Sequence, residues 1–203
     1  MQATPRPILT RAIAALPDAV VAATFLVIWF APFAFGPRGV RNAMLTMLIE
    51  FIIVHASGFL GAVAFAPAVS RGKKFAGLLG FALFYTVFVG AFVLIFDETW
   101  PILVFGWLLL GKFSGALAHH CMDAEEVRRQ QAGWAMAVVF YIAGVFLTIL
   151  LPMPRFGMSA ALLPEFGLTG SGLWVEQPHR MVAFGFLYFA ATMWFRWSSS
   201  AKP

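Results

Sequence analysis

Residues 42–66 read NAMLTMLIEFIIVHASGFLGAVAFA, and this stretch decides the fold. It is apolar almost throughout, over more than the roughly 20 residues that a helix needs to cross a bilayer. The run lacks the alternation of polar and apolar residues that a transmembrane barrel strand requires. It therefore predicts a membrane-spanning α-helix that carries two ionisable residues, Glu50 and His55.

The composition of the whole chain agrees with a membrane location. Of its 203 residues, 61% are hydrophobic and 11% are charged, whereas soluble domains average about 45–50% apolar and about 25% charged residues. Intrinsic disorder requires the opposite composition. The single cysteine, Cys121, excludes a disulfide framework and a cysteine-based zinc site. The net charge of +5 comes from Lys and Arg scattered between apolar runs, so we expect the lipid bilayer, and not a nucleic acid, as the partner.

Apolar runs of similar length recur along the chain. They predict an all-α integral membrane protein, a bundle of about six transmembrane helices in one polytopic domain over residues 1–203. The runs are 18–36, 42–66, 75–96, 100–119, 132–151 and 181–195. The last run is short, so it spans only if Arg180 and Arg196 extend to the two interfaces.

The distribution of Lys and Arg predicts the orientation. With both termini inside, about nine basic residues lie on the inner side and about four on the outer side, as the positive-inside rule requires. We therefore expect a multi-pass protein of the cytoplasmic (inner) membrane with both termini cytoplasmic. The connections are short except for the outer loop 153–179, whose apolar side chains favour a position on the membrane interface or a cap over the bundle. An ordinary long loop is the alternative.

Three ionisable residues fall inside predicted helices: Glu50 and His55 in the second and Lys112 in the fourth. Such a residue costs about 2.5–3.5 kcal/mol at a helix centre. At 1.5 Å per residue from the outer helix ends, Glu50 lies about 12 Å deep, Lys112 about 18 Å and His55 about 20 Å. We therefore expect a buried Glu50–Lys112 pair with His55 nearby.

Small residues accompany this polar centre. Ser57, Gly58 and Gly61 lie on the second helix, and Gly111-x-x-x-Gly115 flanks Lys112 on the fourth. Small residues allow helices in lipid to approach closely, so this pattern predicts that the two helices pack through the faces that carry the charges.

The polar centre has two interpretations. In the first, Glu50, His55 and Lys112 form a proton-handling or substrate-binding site, because His titrates near neutral pH and burial disfavours the charged forms of Glu and Lys. In the second, the three residues form a structural ion pair that fixes helix packing. Intramembrane charges are functional by default, which favours the first interpretation.

A second polar cluster follows the fourth helix. His119, Asp123 and Glu126 share a face at i, i+4 and i+7 if the helix continues, and their side chains suit a divalent metal. The ordinary interpretation is a wet helix end on which Glu125 and Glu126 pair with Arg129. Because no recognised ligand motif is present, we predict no metal site, and these three residues come nearest to one.

No cofactor or enzymatic activity is predicted. The chain has no G-x-S-x-G, no H-E-x-x-H and no Gly-rich phosphate loop. A haem held by two histidines is disfavoured because the histidines lie at different depths. A haem or chlorin held by His55 alone, with Gly58 and Ala62 making room for it, is a secondary possibility.

Two functions follow from these features. The first is a small proton-linked transporter or channel-like element centred on Glu50, His55 and Lys112. The second is an accessory or anchoring subunit, whose aromatic exterior packs against other membrane subunits or further copies of the chain.

Overall fold

The computed structural model describes residues 8–64, 69–117 and 124–199, and within these ranges every regular element is a helix. The elements are α1 (Ile8–Phe30), α2 (Gly39–Ala64), α3 (Arg71–Phe96), α4 (Trp100–Leu117), α5 (Ala124–Leu150), a 3₁₀ helix (Ala160–Phe166), α6 (Leu173–Glu176) and α7 (Pro178–Ser199). The six predicted apolar runs correspond to α1–α5 and α7. The prediction of an all-α protein is confirmed for these ranges.

Four helices are long and apolar enough to cross a membrane: Arg11–Phe30, Gly39–Val63, Gly72–Phe96 and Val127–Leu150. These segments have 20 to 25 residues. At 1.5 Å per residue this length matches a hydrocarbon core of about 30 Å. The shorter apolar stretch Trp100–Leu110 lies in α4. The chain is an all-α membrane protein.

The first helix differs from its prediction at both ends. It begins at Ile8 and ends at Phe30, whereas the predicted run covers residues 18–36. The early end has a local cause, because Pro32 disfavours helical geometry in the residue before it. The early start places Asp18 inside the helix, so a charge that we predicted at a helix end lies within an apolar segment.

A tight turn joins α3 to α4. Asp97 ends α3 in the left-handed conformation, with a φ of 49°, and Pro101 lies in the first turn of α4, where a missing N–H costs nothing. The rings of Tyr85 and Phe105 lie 6.4 Å apart between the two helices. These two helices are therefore neighbours.

The chain divides into two compact units. The first consists of the described residues up to Met47 and from Met136 onward, and the second is Leu48–Ala135. The prediction of a single domain stays a prediction.

In the first unit, α7 lies antiparallel to α1 along the length of α1. Three contacts run from one end of the pair to the other: Arg11 with Trp197, Phe25 with Phe189 and Trp29 with Phe186. Gly185 lies where α7 meets the ring of Phe25, and a Cβ atom at this position would overlap that ring. The absence of a side chain at Gly185 therefore sets the distance between the helices.

The part of α5 in the first unit packs through aromatic residues. The Tyr141 hydroxyl donates a hydrogen bond of 2.9 Å to the carbonyl oxygen of Met47. Its ring meets that of Phe184 edge-on, with 4.8 Å between ring centroids. Phe184 also covers Gly144, where an added Cβ would come within 2.7 Å of the ring.

The long connection, residues 153–179, packs on the end of α1. The Trp29 indole donates to the carbonyl oxygen of Pro154 at 2.9 Å, and the Gly157 amide donates to the carbonyl oxygen of Trp29 at 3.2 Å. Phe166, in the 3₁₀ helix, is buried. The connection is therefore a folded segment and not an extended linker. Its predicted position on the membrane interface stays a prediction.

In the second unit, α2 and α3 meet through two contacts that fix their register. An added Cβ at Gly77 would come within 3.0 Å of Val63. One helical turn further along α3, Phe81 stacks on Phe59 with 5.3 Å between centroids. The two helices therefore run antiparallel, because the α2 numbers fall as the α3 numbers rise.

Candidate functional site

Glu50 lies near the midpoint of the 25-residue apolar segment Gly39–Val63. The residue is half-buried. Half of this segment is buried inside the protein, compared with 33% or less of the other three. Helix α2 therefore has the most protein contact of the four, and Glu50 lies at its centre. A carboxylate at this depth avoids its insertion cost by binding a proton or a cationic partner.

The predicted partner of Glu50 lies outside the part of the chain whose side chains the structure describes. Lys112 belongs to α4, as do Gly111 and Gly115, but side chains are described in α4 only as far as Leu110. The Glu50–Lys112 pair and the packing role of the two glycines stay predictions.

His55 lies on a different face of α2 from Glu50. Five residues separate them, which corresponds to about 140° around the helix axis. The His55 side chain is exposed, and its Nδ1 atom lies 3.2 Å from the carbonyl oxygen of Phe51. The two residues share a similar depth, but the structure does not bring them together on one side of α2.

Of the predicted packing residues on α2, Gly58 has a defined neighbour. An added Cβ at Gly58 would come within 2.7 Å of the Trp134 ring on α5. The indole Nε1 of Trp134 donates a hydrogen bond of 2.8 Å to the carbonyl oxygen of Val54. Because Gly58 has no side chain, the Trp134 indole can lie over it and reach the carbonyl oxygen of Val54, which is one helical turn before Gly58. Ser57 and Gly61 are half-buried on the same helix.

The metal candidates mostly lie outside the described residues. This applies to His119 and Asp123, and Glu126 lies in α5 without a described side chain. The described residues contain no group of three or more side chains that could hold a metal ion. Glu125 and Arg129 form the predicted i, i+4 ion pair at 2.9 Å.

The structure contains an ionisable pair that the sequence analysis missed. Asp18, in the middle of α1, lies 2.8 Å from Nε of Arg196 on α7. The Asp18 side chain is 11% exposed and the Arg196 side chain 56%. The contact is an ion pair and not an aligned hydrogen bond, because Oδ2 of Asp18 has no hydrogen-bond partner among the described residues.

Arg180 joins the start of α7 to the end of α5. Its Nη1 atom donates to the carbonyl oxygens of Thr148, Ile149 and Leu151 at 2.6, 3.1 and 3.0 Å. Its Nε atom donates to the side chain of Gln177 at 2.6 Å. The last carbonyls of a helix lack partners within the helix, and a cation is favoured there by the helix dipole. Arg180 is therefore the C-terminal cap of α5.

His179, next to this cap, is buried, and its Nδ1 atom has no hydrogen-bond partner in the described part of the chain. Burial, together with the charges of Arg155 and Arg180, lowers the pKa of His179 from 6.5 to about 4. Protonation of His179 would place a third positive charge beside two guanidinium groups. His179 is therefore neutral at pH 7.

Acid is expected to weaken the folded state through His179. The pKa of His179 is 6.5 in the unfolded chain and about 4 in the folded chain. Between these pH values only the unfolded chain binds the proton, so the free energy of unfolding decreases as the pH falls from 6.5 towards 4. Between pH 7 and pH 5 the loss is about 2 kcal/mol. Unfolding of the detergent-solubilised protein at both pH values measures it. The loss should be smaller by this amount in His179→Gln, and an equal loss in both proteins would contradict the assignment.

A groove of about 210 Å³ opens between α1 and the start of α2 in the first unit. Its polar lining comes from Thr24, Asn42 and Thr46, and it contains no titratable side chain. Ligand pockets usually measure about 300–1,000 Å³. This groove is therefore smaller than a typical ligand site and has no group that could carry a proton.

Searches of protein-family models, curated proteins and solved structures found no match to this chain. Among the described residues, the groups able to exchange a proton within an apolar segment include Glu50, Asp18 and His55. Asp18 contacts Arg196, the His55 side chain is exposed, and Glu50 is half-buried and has contacts of its own.

Proposed function

We propose that the protein is a small proton-linked transporter or channel-like element in which Glu50 carries the proton. The observation that supports this function is the half-buried carboxyl group at the midpoint of the span with the most protein contact. A carboxyl group at mid-membrane can receive a proton from one side and release it to the other. Lys112 is the proposed partner that holds Glu50 ionised between these steps.

We also propose six spans with both termini on the cytoplasmic side of the inner membrane. Because α7 lies along the whole length of α1, from Arg11–Trp197 to Trp29–Phe186, it shares the depth of α1. The contact between α3 and α4 supports a spanning α4 in the same way. The excess of basic residues on the proposed inner side supports the orientation.

Proton flux into liposomes tests the proposed function. Purified protein is reconstituted into vesicles that contain a pH-sensitive dye, and a potassium diffusion potential drives proton entry. Glu50→Gln keeps the size and polarity of the side chain but cannot ionise, so the flux should fall by at least about 10-fold, which corresponds to a barrier increase of about 1.4 kcal/mol. Glu50→Asp should retain part of the flux.

The matched control is Glu125→Gln, which makes the same chemical change at an exposed ion pair. This variant should conduct as the wild type does. Flux in Glu50→Gln equal to that of the wild type, or no flux in the wild type, would contradict the proposal. Elution as a single species in size-exclusion chromatography shows that each variant is folded.

The second candidate is an accessory or anchoring subunit. The observation that favours it is the outward face of α3, where Leu83, Val87 and Leu94 are 62%, 71% and 85% exposed. A protein partner would cover such a face as well as lipid does. Gentle release from the membrane followed by native mass spectrometry discriminates between the two functions, because a subunit carries additional protein mass.

A further inference from the structure

His55 occupies an unfavourable position for an imidazole ring. It lies four residues from the midpoint of the segment Gly39–Val63, or about 6 Å along the helix axis, and its side chain is exposed. Ionisable residues in membrane helices almost always face the protein interior or a water-filled cavity. An exposed imidazole at this depth requires an occupant that satisfies its free nitrogen atom.

The hydrogen bond of His55 determines which nitrogen atom is free. A carbonyl oxygen only accepts hydrogen bonds, so Nδ1 carries the proton and donates to the carbonyl oxygen of Phe51 at 3.2 Å. With Nδ1 as the donor, Nε2 is the ring nitrogen that offers a lone pair. Within the described residues this donation is the only hydrogen bond of the ring. Metal-binding histidines use the same arrangement, in which a backbone carbonyl fixes the ring and the other nitrogen binds the metal.

The surface on both sides of His55 along α2 is aromatic. Phe51 and Phe59 lie one turn before and one turn after it, and they are 42% and 51% exposed. The Phe51 ring lies 4.2 Å from the imidazole, measured between centroids. The exposed imidazole is therefore placed between two exposed phenyl rings.

Helix α3 extends this aromatic surface. Phe59 of α2 stacks on Phe81 of α3, and the two helices run antiparallel. His55 lies four residues before Phe59, so the part of α3 beside it lies about four residues after Phe81. Phe84 and Phe88 are in this part of α3. These two side chains are 55% and 44% exposed, and their rings meet edge-on at 5.1 Å. Four exposed phenyl rings thus surround one free imidazole nitrogen over about 12 Å of helix length in the second unit.

We infer that His55 is the axial ligand of a metal-containing tetrapyrrole, a haem or a chlorin, that binds on this face of α2 and α3. The Nε2 atom supplies the bond to the metal, and the phenyl rings supply the apolar contact that a large flat macrocycle needs. A lipid chain would leave Nε2 unsatisfied. Gly58 does not make room for the macrocycle, because the Trp134 indole covers it. The inference is independent of the proposed role of Glu50.

Titration of the purified protein with haemin and, separately, with a zinc chlorin tests the inference. The wild type should bind at least one of them with one-to-one stoichiometry and a shifted absorption band. His55→Gln should weaken binding by at least about 10-fold, since even the loss of a group that orients a metal ligand has an effect of this size. His179→Gln is the matched control and should bind as the wild type does, because His179 is buried outside this surface.

A second variant identifies the ligand directly. His55→Cys should still bind haemin, and its ferrous–CO spectrum should change from the imidazole type to the thiolate type. Equal affinity of the wild type and His55→Gln, an unchanged CO spectrum in His55→Cys, or no binding of either macrocycle would overturn the inference. A dimer cross-linked through a cysteine at position 55 would instead show that a second copy of the chain covers this surface.

Discussion

Arg196→Gln is expected to lower the free energy of unfolding by about 3 kcal/mol, at the low end of the range for breaking a buried ion pair. The substitution leaves Asp18, which is 11% exposed, without its cation between two helices, so the carboxyl group must either stay charged there or bind a proton. The change can be measured by SDS or thermal unfolding of the purified protein in detergent.

The reverse substitution is the control for this prediction. Asp18→Asn removes the buried charge and leaves Arg196 unpaired. The Arg196 side chain is 56% exposed, so its guanidinium group can extend into water while its methylene groups stay on the apolar surface. The cost of Asp18→Asn should stay near 1 kcal/mol or below, as for an exposed ion pair. Equal costs for the two variants, or a larger cost for Asp18→Asn, would show that the pair does not hold α1 and α7 together.

Gly185→Ala is expected to destabilise the first unit by about 3 kcal/mol, the upper end of the range for overpacking a core. The new methyl group would overlap the ring of Phe25, and helix α7 cannot move away without losing its other contacts with α1. Thermal unfolding in detergent measures the effect, and Phe25→Leu in the same chain should recover part of the loss because it removes the ring.

The matched control is Gly90→Ala in α3, where an added Cβ meets no atom within 4 Å. Ala is favoured over Gly inside a helix by about 0.5–1 kcal/mol, so Gly90→Ala should leave stability unchanged or raise it slightly. If Gly185→Ala and Gly90→Ala behave alike, the close approach of α1 and α7 at Gly185 does not contribute to stability.

The helices of this fold can be predicted from sequence because hydrocarbon leaves the backbone few alternatives. A chain that crosses a bilayer must satisfy its own N–H and C=O groups, so each long apolar run predicts a helix. This argument identifies α2 and α3 to within a few residues at each end. It fails at the start of α1, where we took Asp18 as a boundary. The helix continues through Asp18 because Arg196, at the other end of the chain, lies beside it.

Sequence spacing predicts the level of each site residue along its helix, but not the neighbouring helix that its side chain faces. Counting residues along α2 places Glu50 and His55 about 7.5 Å apart along the helix axis, and their depth in the membrane stays a prediction. Small residues indicate close helix contact without identifying the partner helix. The contact of the small residues of α2 with α4 stays a prediction, and one of these residues, Gly58, is covered by an indole from α5. The hydrogen bond from Trp134 to Val54 depends on the mutual rotation of two helices, which sequence spacing alone does not determine.

Infrared difference spectroscopy tests the central claim most directly, namely that Glu50 binds and releases a proton within the membrane. Spectra of the reconstituted protein at a series of pH values above about 5, where exposed carboxyl groups are ionised, should contain a band from a protonated carboxyl group that grows as the pH falls. This band should be absent from Glu50→Gln and present in Asp18→Asn, because the second variant removes the other carboxylate within a candidate span. A band that persists unchanged in Glu50→Gln would contradict the account.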